Sequence, residues 1–190
     1  MTSDEQLLEE YVRGDQRAFG VLVERYQSEL FAFLYRFVSD SAAAEDLFQE
    51  TFVQVHKNVK SFDSSRRFRP WLFTIAANKA RDYLRSVGRH EVHSYDRVAG
   101  ADGETSFLEL MEAVGDPPEV ELGRGEDVER VQRVLAGLPG IYREVLVMAY
   151  FHDFSYREIA EMLGVPLGTV KSRLHGAMGI FAKAYKDGGE

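Results

Sequence analysis

The sequence predicts an all-α fold: an N-terminal helical bundle and a C-terminal helix-turn-helix domain joined by an acidic linker. Three observations carry that reading. Apolar residues recur at threes and fours, no stretch sustains a period-two alternation, and helix-capping signals punctuate the chain. Glycine, proline and acidic residues gather in one internal stretch. The length, 190 residues, suits one ordinary domain or two small ones, each just large enough to bury a core.

The first half reads as four helices. Ser3 and Gln6 form a capping box, and Gly14 closes a short first helix. Asp15 can cap the second, whose Phe19, Leu22, Val23, Tyr26, Leu30, Phe33, Leu34 and Phe37 form one apolar stripe. Ser41 opens a third helix with Leu47, Phe48, Phe52, Val55 and Val59 facing inward. A loop, FDSSRRFR, covers Phe62 to Arg69, and Pro70 then takes a first-turn position ahead of WLFTIAANKARDYLRS.

Residues 91–127 hold 11 acidic and 2 basic side chains together with five glycines and two prolines, the composition of a tether. Within it, Ser106 and Glu109 make a capping box, and Phe107, Leu110, Met111 and Val114 follow at helical spacing. Three readings of residues 106–114 stand open: a short helix that packs on the two domains, one that folds only against a partner, or a disordered tether.

The second half, 128–190, is again helical. Val128 to Leu135 forms one helix and Pro139 starts another through IYREVLVMAYF. Ser155 and Glu158 box the start of the next, Gly164 breaks it, and VPLGTVKSRLHGAM resumes, which is helix-turn-helix spacing. Ile159, Ala160, Leu163, Val170, Leu174 and Ala177 are predicted inward, leaving Thr169, Lys171, Ser172, Arg173 and His175 on the outer face. Short polar and cationic side chains on an exposed second helix suit a DNA major groove.

Charge by position supports a nucleic-acid partner despite a net charge of −8. Residues 1–90 carry 13 acidic and 13 basic groups and residues 128–190 carry 7 and 8, so the negative excess lies in the linker. Lys57 to Arg89 holds nine basic residues against Asp63 and Asp82, a density that fits phosphate binding. The absence of cysteine excludes disulfides, thiolate metal sites and cysteine nucleophiles and fits a reducing, cytoplasmic setting. The longest apolar run, VLVMAYF at 145–151, is too short to span a membrane, and the acidic opening MTSDEQLLEE lacks a signal-peptide core.

Four segments, in order, resemble the extracytoplasmic-function (ECF) class of bacterial sigma factors. They are AFGVLVERYQSELFAFLYRF, AEDLFQETFVQVHKNVKSFD, FRPWLFTIAANKARDYLRS and LPGIYREVLVMAYFHDFSYREIAEMLGVPLGTVKSRL. The resemblance implies a sigma region 2 domain over 1–90 and a region 4 domain over 128–190. It further implies that Asp46, Gln49, Glu50, Phe52 and Val53 meet the clamp helices of the largest RNA polymerase subunit, and that the C-terminal domain meets the polymerase flap. The implied promoter −10 reader comprises Phe62, Ser64, Ser65, Arg66, Arg67, Phe68 and Arg69 of the loop, with Asn78, Lys79, Arg81 and Arg85 of the following helix. Opening a duplex means trapping an unstacked base, and stacking on an aromatic or guanidinium plane, worth roughly 1–3 kcal/mol, offsets that cost. Trp71 and Phe73 read as core, and Asp82 as a partner for a neighbouring arginine.

The implied −35 reader comprises Lys171, Ser172, Arg173 and His175 near the bases, with Tyr156 and Thr169 toward the backbone. Here the chain departs from the family pattern, because Gly176 and Met178 stand where two arginines are usual. Fewer cations predict a flatter salt dependence and a −35 interaction that is weaker than typical or has a different −35 preference. An anti-sigma partner is implied as well, with no membrane contact by this chain itself and no cofactor.

Two other function classes compete. A helix-turn-helix regulator acting without polymerase requires sequence-specific duplex binding by the chain alone. An enzyme requires a catalytic constellation, but His56, His90, His93, His152 and His175 form no metal-ligand pattern, and neither a phosphate-cradling glycine loop nor a nucleophile elbow occurs. The expectation is therefore no catalytic and no metal-binding residue.

Overall fold

The computed structural model describes residues 2–88 and 126–187, and every regular element among them is helical. The linker helix expected at 106–114 lies outside the described residues. In the first domain α1 spans Asp4–Val12, α2 Gln16–Val38, α3 Ser41–Asn58 and α4 Phe68–Ser86, with a 3₁₀ turn at Val59–Ser61. In the second, α5 spans Glu126–Gly137, α6 Gly140–Leu146 running on into a π-helical turn at Val147–Phe151, α7 Tyr156–Leu163 and α8 Leu167–Asp187.

Local chemistry accounts for most boundaries. The Ser3 and Ser155 capping boxes both form, and Asp15 accepts from the Arg17 amide. The cap of α3 is Asp40 rather than Ser41, because its carboxylate accepts from the Ala43 amide at 3.1 Å. Gly164 ends α7 with φ +65, the left-handed conformation that glycine adopts without a Cβ penalty. The start of α4 differs from the sequence expectation. Phe68 and Arg69 belong to its first turn, so the loop ends at Arg67, whose side chain caps nothing. Its role is taken by α1: the Phe68 amide donates to Glu5 Oε1 at 2.9 Å. Burial opposes ionisation of Glu5, but that amide and its neighbours hold its carboxyl below the usual range.

Helix α2 is the central beam. Leu22, Tyr26, Leu30, Phe33, Leu34 and Phe37 are buried, as the stripe predicts, among residues of α1, α3 and α4. The opposite flank of its C-terminal half meets the second domain through α5 and the π turn. In the helix-turn-helix, Ile159, Val170, Leu174 and Ala177 are buried as predicted, and Met162 joins them, while Ala160 and Leu163 are only half-buried.

Polar bonds tie the two domains. Gln132 Nε2 donates to Tyr35 O at 3.0 Å and to Ser39 Oγ at 3.1 Å. The buried Arg143 donates to Phe37 O at 2.8 Å and, within its own domain, to Ala136 O and Leu138 O. His152, buried at the end of the π turn, inserts its ring beside Phe33 and Phe73, with centroids 5.2 and 5.5 Å away.

Candidate nucleic-acid interface

The loop between the 3₁₀ turn and α4 is built on Asp63. Its carboxylate accepts from the Ser65 amide at 3.0 Å and the Ser65 hydroxyl at 2.7 Å, an Asx-type turn that ends in a 2.9 Å bond from the Arg66 amide to Asp63 O. The Ser65 bonds hold the Asp63 carboxyl below its ordinary value. This fold of the loop presents Ser64, Ser65, Arg66 and Arg67 to solvent. Phe62 is half-buried against Trp71, ring centroids 4.8 Å apart. Phe68 is fully buried and packs on Tyr26, Phe62 and Trp71, so it is core and offers no face to a base.

Along α4 the expected cations divide. Asn78 and Arg85 are exposed, and Arg85 pairs with Asp82 at 3.1 Å, as the sequence reading anticipates for Asp82. Lys79 pairs with Glu50 of α3 at 2.8 Å. Arg69 and Arg81 turn toward the second domain. Arg69 donates to Glu29 Oε1 at 2.5 Å and to His152 O at 2.6 Å, with its guanidinium over the Phe154 ring at 4.2 Å. Arg81 Nε lies 3.3 Å from Glu144 of α6.

Burial works against ionisation of Glu29, yet the facing His152 ring and the Arg69 guanidinium hold its carboxyl at about 2. Burial pushes His152 the other way for a base, below its ordinary 6.5, with Glu29 pulling partly back. Glu144, 5% exposed, is lifted by burial above the usual carboxylate range, against the pull of Arg81 and Arg173.

On α8 and its approach, Lys171, Ser172 and Tyr156 are exposed, whereas Thr169 and His175 are half-buried. Arg173, predicted on the outer face, bends back to Glu144 at 3.8 Å, its side chain 15% exposed. Gly176 has a steric reason: a Cβ there would stand 3.0 Å from Cε1 of Tyr142. On α3, Asp46, Gln49, Glu50 and Val53 form one exposed stripe at helical spacing. Phe52 does not belong to it; it is 5% exposed and packs on Phe19 and Phe48, so that candidate is corrected to core.

Sequence reasoning missed Glu5, Gln132, Arg143, Glu144 and His152. The one local hint was the position of Arg143 and Glu144 directly ahead of the longest apolar run, where a helix that buries that run can cover them too.

Two helical domains, a polar helix-turn-helix and a cationic loop-helix segment define a two-domain DNA-binding protein. Comparison with known proteins sharpens that class. The sigma-70 region 2 model matches residues 22–90 and the sigma-70 region 4 model matches residues 128–179. The ECF RNA polymerase sigma factor SigW of Bacillus subtilis is 34% identical over 175 residues, 92% of each chain. The RNA polymerase sigma-H factor of Pseudomonas aeruginosa is 36% identical, over 95% of this chain and 93% of its own. Among solved structures, CnrH in complex with the cytosolic domain of CnrY matches with a TM-score of 0.69 at 28% identity, covering 100% of both chains. RpoE in complex with the anti-sigma factor NepR from Bartonella quintana matches at 0.66 and 27%, covering 88% of this chain and 96% of its own. The chain belongs to the ECF family of RNA polymerase sigma factors.

Proposed function

We propose that the chain directs core RNA polymerase to promoters in the cytoplasm, without catalysis of its own, using three separate surfaces. The exposed stripe Asp46, Gln49, Glu50 and Val53 meets the polymerase clamp. Acidic and amide groups beside an exposed valine suit a basic, partly apolar helix. Ser64, Ser65, Arg66, Arg67, Asn78, Lys79 and Arg85 read and trap the −10 strand, joined by Arg69 and Arg81 once the domains part. Tyr156, Thr169, Lys171, Ser172, Arg173 and His175 address the −35 duplex, and the same domain meets the flap.

The observation that carries this reading is the Asp63-centred loop, which delivers two exposed arginines and two serine hydroxyls at the N-terminus of α4. An anti-sigma partner regulates the chain in this reading; the similar RpoE is bound to one. No helix among the described residues is long and apolar enough to cross a membrane. Run-off transcription with purified core polymerase on a promoter library tests the proposal. A transcript that depends on the chain and is lost in the Arg66→Ala, Arg67→Ala double variant supports it. Failure of the wild-type chain to yield any dependent transcript overturns it.

A further inference from the structure

The loop ahead of α4 is anchored at both ends, by different means. Its start is knotted locally, with the Asp63 carboxylate bonded to Ser65. Its end has no side-chain cap from Arg67. The Phe68 amide is held there by Glu5 Oε1 at 2.9 Å, from α1, which precedes residues 22–90 matched by the region 2 model. Ser64, Ser65, Arg66 and Arg67, between the two anchors, are exposed. Their ion pairs are loose, Arg66 to Asp63 at 3.8 Å and Arg67 to Glu158 at 4.0 Å, and pairs so exposed fix little.

Helix α1 is itself firmly seated. Leu7, Leu8 and Tyr11 are buried, and Tyr11 stacks on Phe19 with ring centroids 4.7 Å apart. Asp4 pairs with Arg25 and accepts from the Tyr26 hydroxyl. Glu5 is thus a carboxylate on a rigid support, aimed at the N-terminus of α4. That end of a helix is a ready seat for an anion, because its first amides lack partners inside the helix. With Glu5 in the seat, a −10 phosphate is left to the guanidiniums of Arg66 and Arg67. The Glu5 charge also attracts Arg67.

We propose that α1 belongs to the −10 reader, with Glu5 as the positioning residue that sets Arg66 and Arg67 through the Phe68 amide. The inference rests on the assignment of those two arginines to the −10 strand. Without Glu5 the first turn of α4 is free to fray, and the arginines meet the strand from many poses instead of one. The strand then has to order them as it binds, which lowers its affinity.

The test uses holoenzyme reconstituted from core polymerase and the full-length chain. One probe is a fluorescent single-stranded oligonucleotide carrying the −10 segment of a promoter recovered by run-off transcription; the other is a duplex carrying its −35 segment. Glu5→Ala is expected to weaken binding of the −10 strand by about 3- to 10-fold and to leave the −35 duplex unaffected. Glu5→Gln keeps an oxygen for the Phe68 amide and should restore wild-type affinity for the strand. In an Arg66→Ala, Arg67→Ala background, Glu5→Ala should cause no further loss, because its effect runs through those two side chains. Unchanged −10 affinity in Glu5→Ala overturns the proposal. So does an equal loss in Glu5→Gln, an equal loss on the −35 duplex, or an undiminished loss in the double-alanine background. The wild-type transcript that supplies the promoter is obtained first, so failure of the sigma assignment is told apart from failure of the Glu5 role.

Discussion

The phenol ring of Tyr142 lies against Gly176, close enough that a Cβ at that position would sit 3.0 Å from Cε1, 3.2 Å from Cζ and 3.3 Å from the hydroxyl oxygen. Any side chain at 176 therefore requires the Tyr142 ring of α6 to give way by a few tenths of an ångström.

Gly176→Ala and Gly179→Ala should consequently differ. Gly179 has open space around its Cα, so alanine there should raise stability by about 0.5–1 kcal/mol through helix propensity alone. At Gly176 the same gain is offset by displacement of the Tyr142 ring, and it should reappear in a Tyr142→Ala background. Thermal denaturation of the four variants reads the coupling directly.

Met178, two positions further along α8, is half-buried beside the core. Met178→Arg should steepen the slope of log affinity against log salt for −35 duplex binding by about 0.9. An unchanged slope would mean that residue 178 lies away from the phosphates.

The α3 stripe and its neighbour should separate surface from core. Asp46→Arg or Val53→Glu is expected to weaken association with core polymerase while leaving the melting temperature near wild type. Phe52→Ala, in contrast, should lose about 3–5 kcal/mol of stability, because the ring is buried against Phe19 and Phe48.

Removing the Glu5 carboxylate should fray the start of α4, which has no side-chain cap of its own. Glu5→Ala is expected to cost about 1 kcal/mol, as for other lost helix caps. Amide exchange at Phe68 and Arg69 should rise selectively, with α2 unaffected.

Acid should weaken the fold in two stages. The folded value of His152 lies below its ordinary 6.5, so the unfolded chain takes up that proton first. The stability tied to its neutral ring is present above about pH 6.5 and is lost as pH falls below it. Glu29, held at about 2 against an ordinary 4.5, contributes above pH 4.5 and loses that contribution as pH falls toward 2. Melting temperatures of wild type and His152→Asn across this range should differ in the upper stage, where the variant has no ring to protonate.

Much of the fold was legible because it is written locally. The capping boxes at Ser3 and Ser155, the stripe of α2 and the break at Gly164 each depend on residues a turn or two apart. What was not legible depends on distant partners. Phe52 and Phe68 sit in sequence among exposed, chemically apt neighbours, and only the packing of α1 and α2 makes them core. Arg69 and Arg81 are expected on one surface and Arg173 on another, and nothing in their spacing tells that Glu144 comes within reach of both Arg81 and Arg173. Glu5 caps a helix 63 positions away, a pairing beyond any periodicity.

The last turn of α2 has a consequence of its own. Helices end with carbonyl groups that have no partner within the helix, and here Tyr35 O and Phe37 O take Gln132 and Arg143 of the other domain. Solvent can serve those carbonyls equally well, and Arg143 keeps Ala136 O and Leu138 O when it leaves. At these two carbonyls separation is a rewetting, with water taking the places of Gln132 and Arg143, whereas the Phe33 and Phe73 rings beside His152 lose their apolar cover.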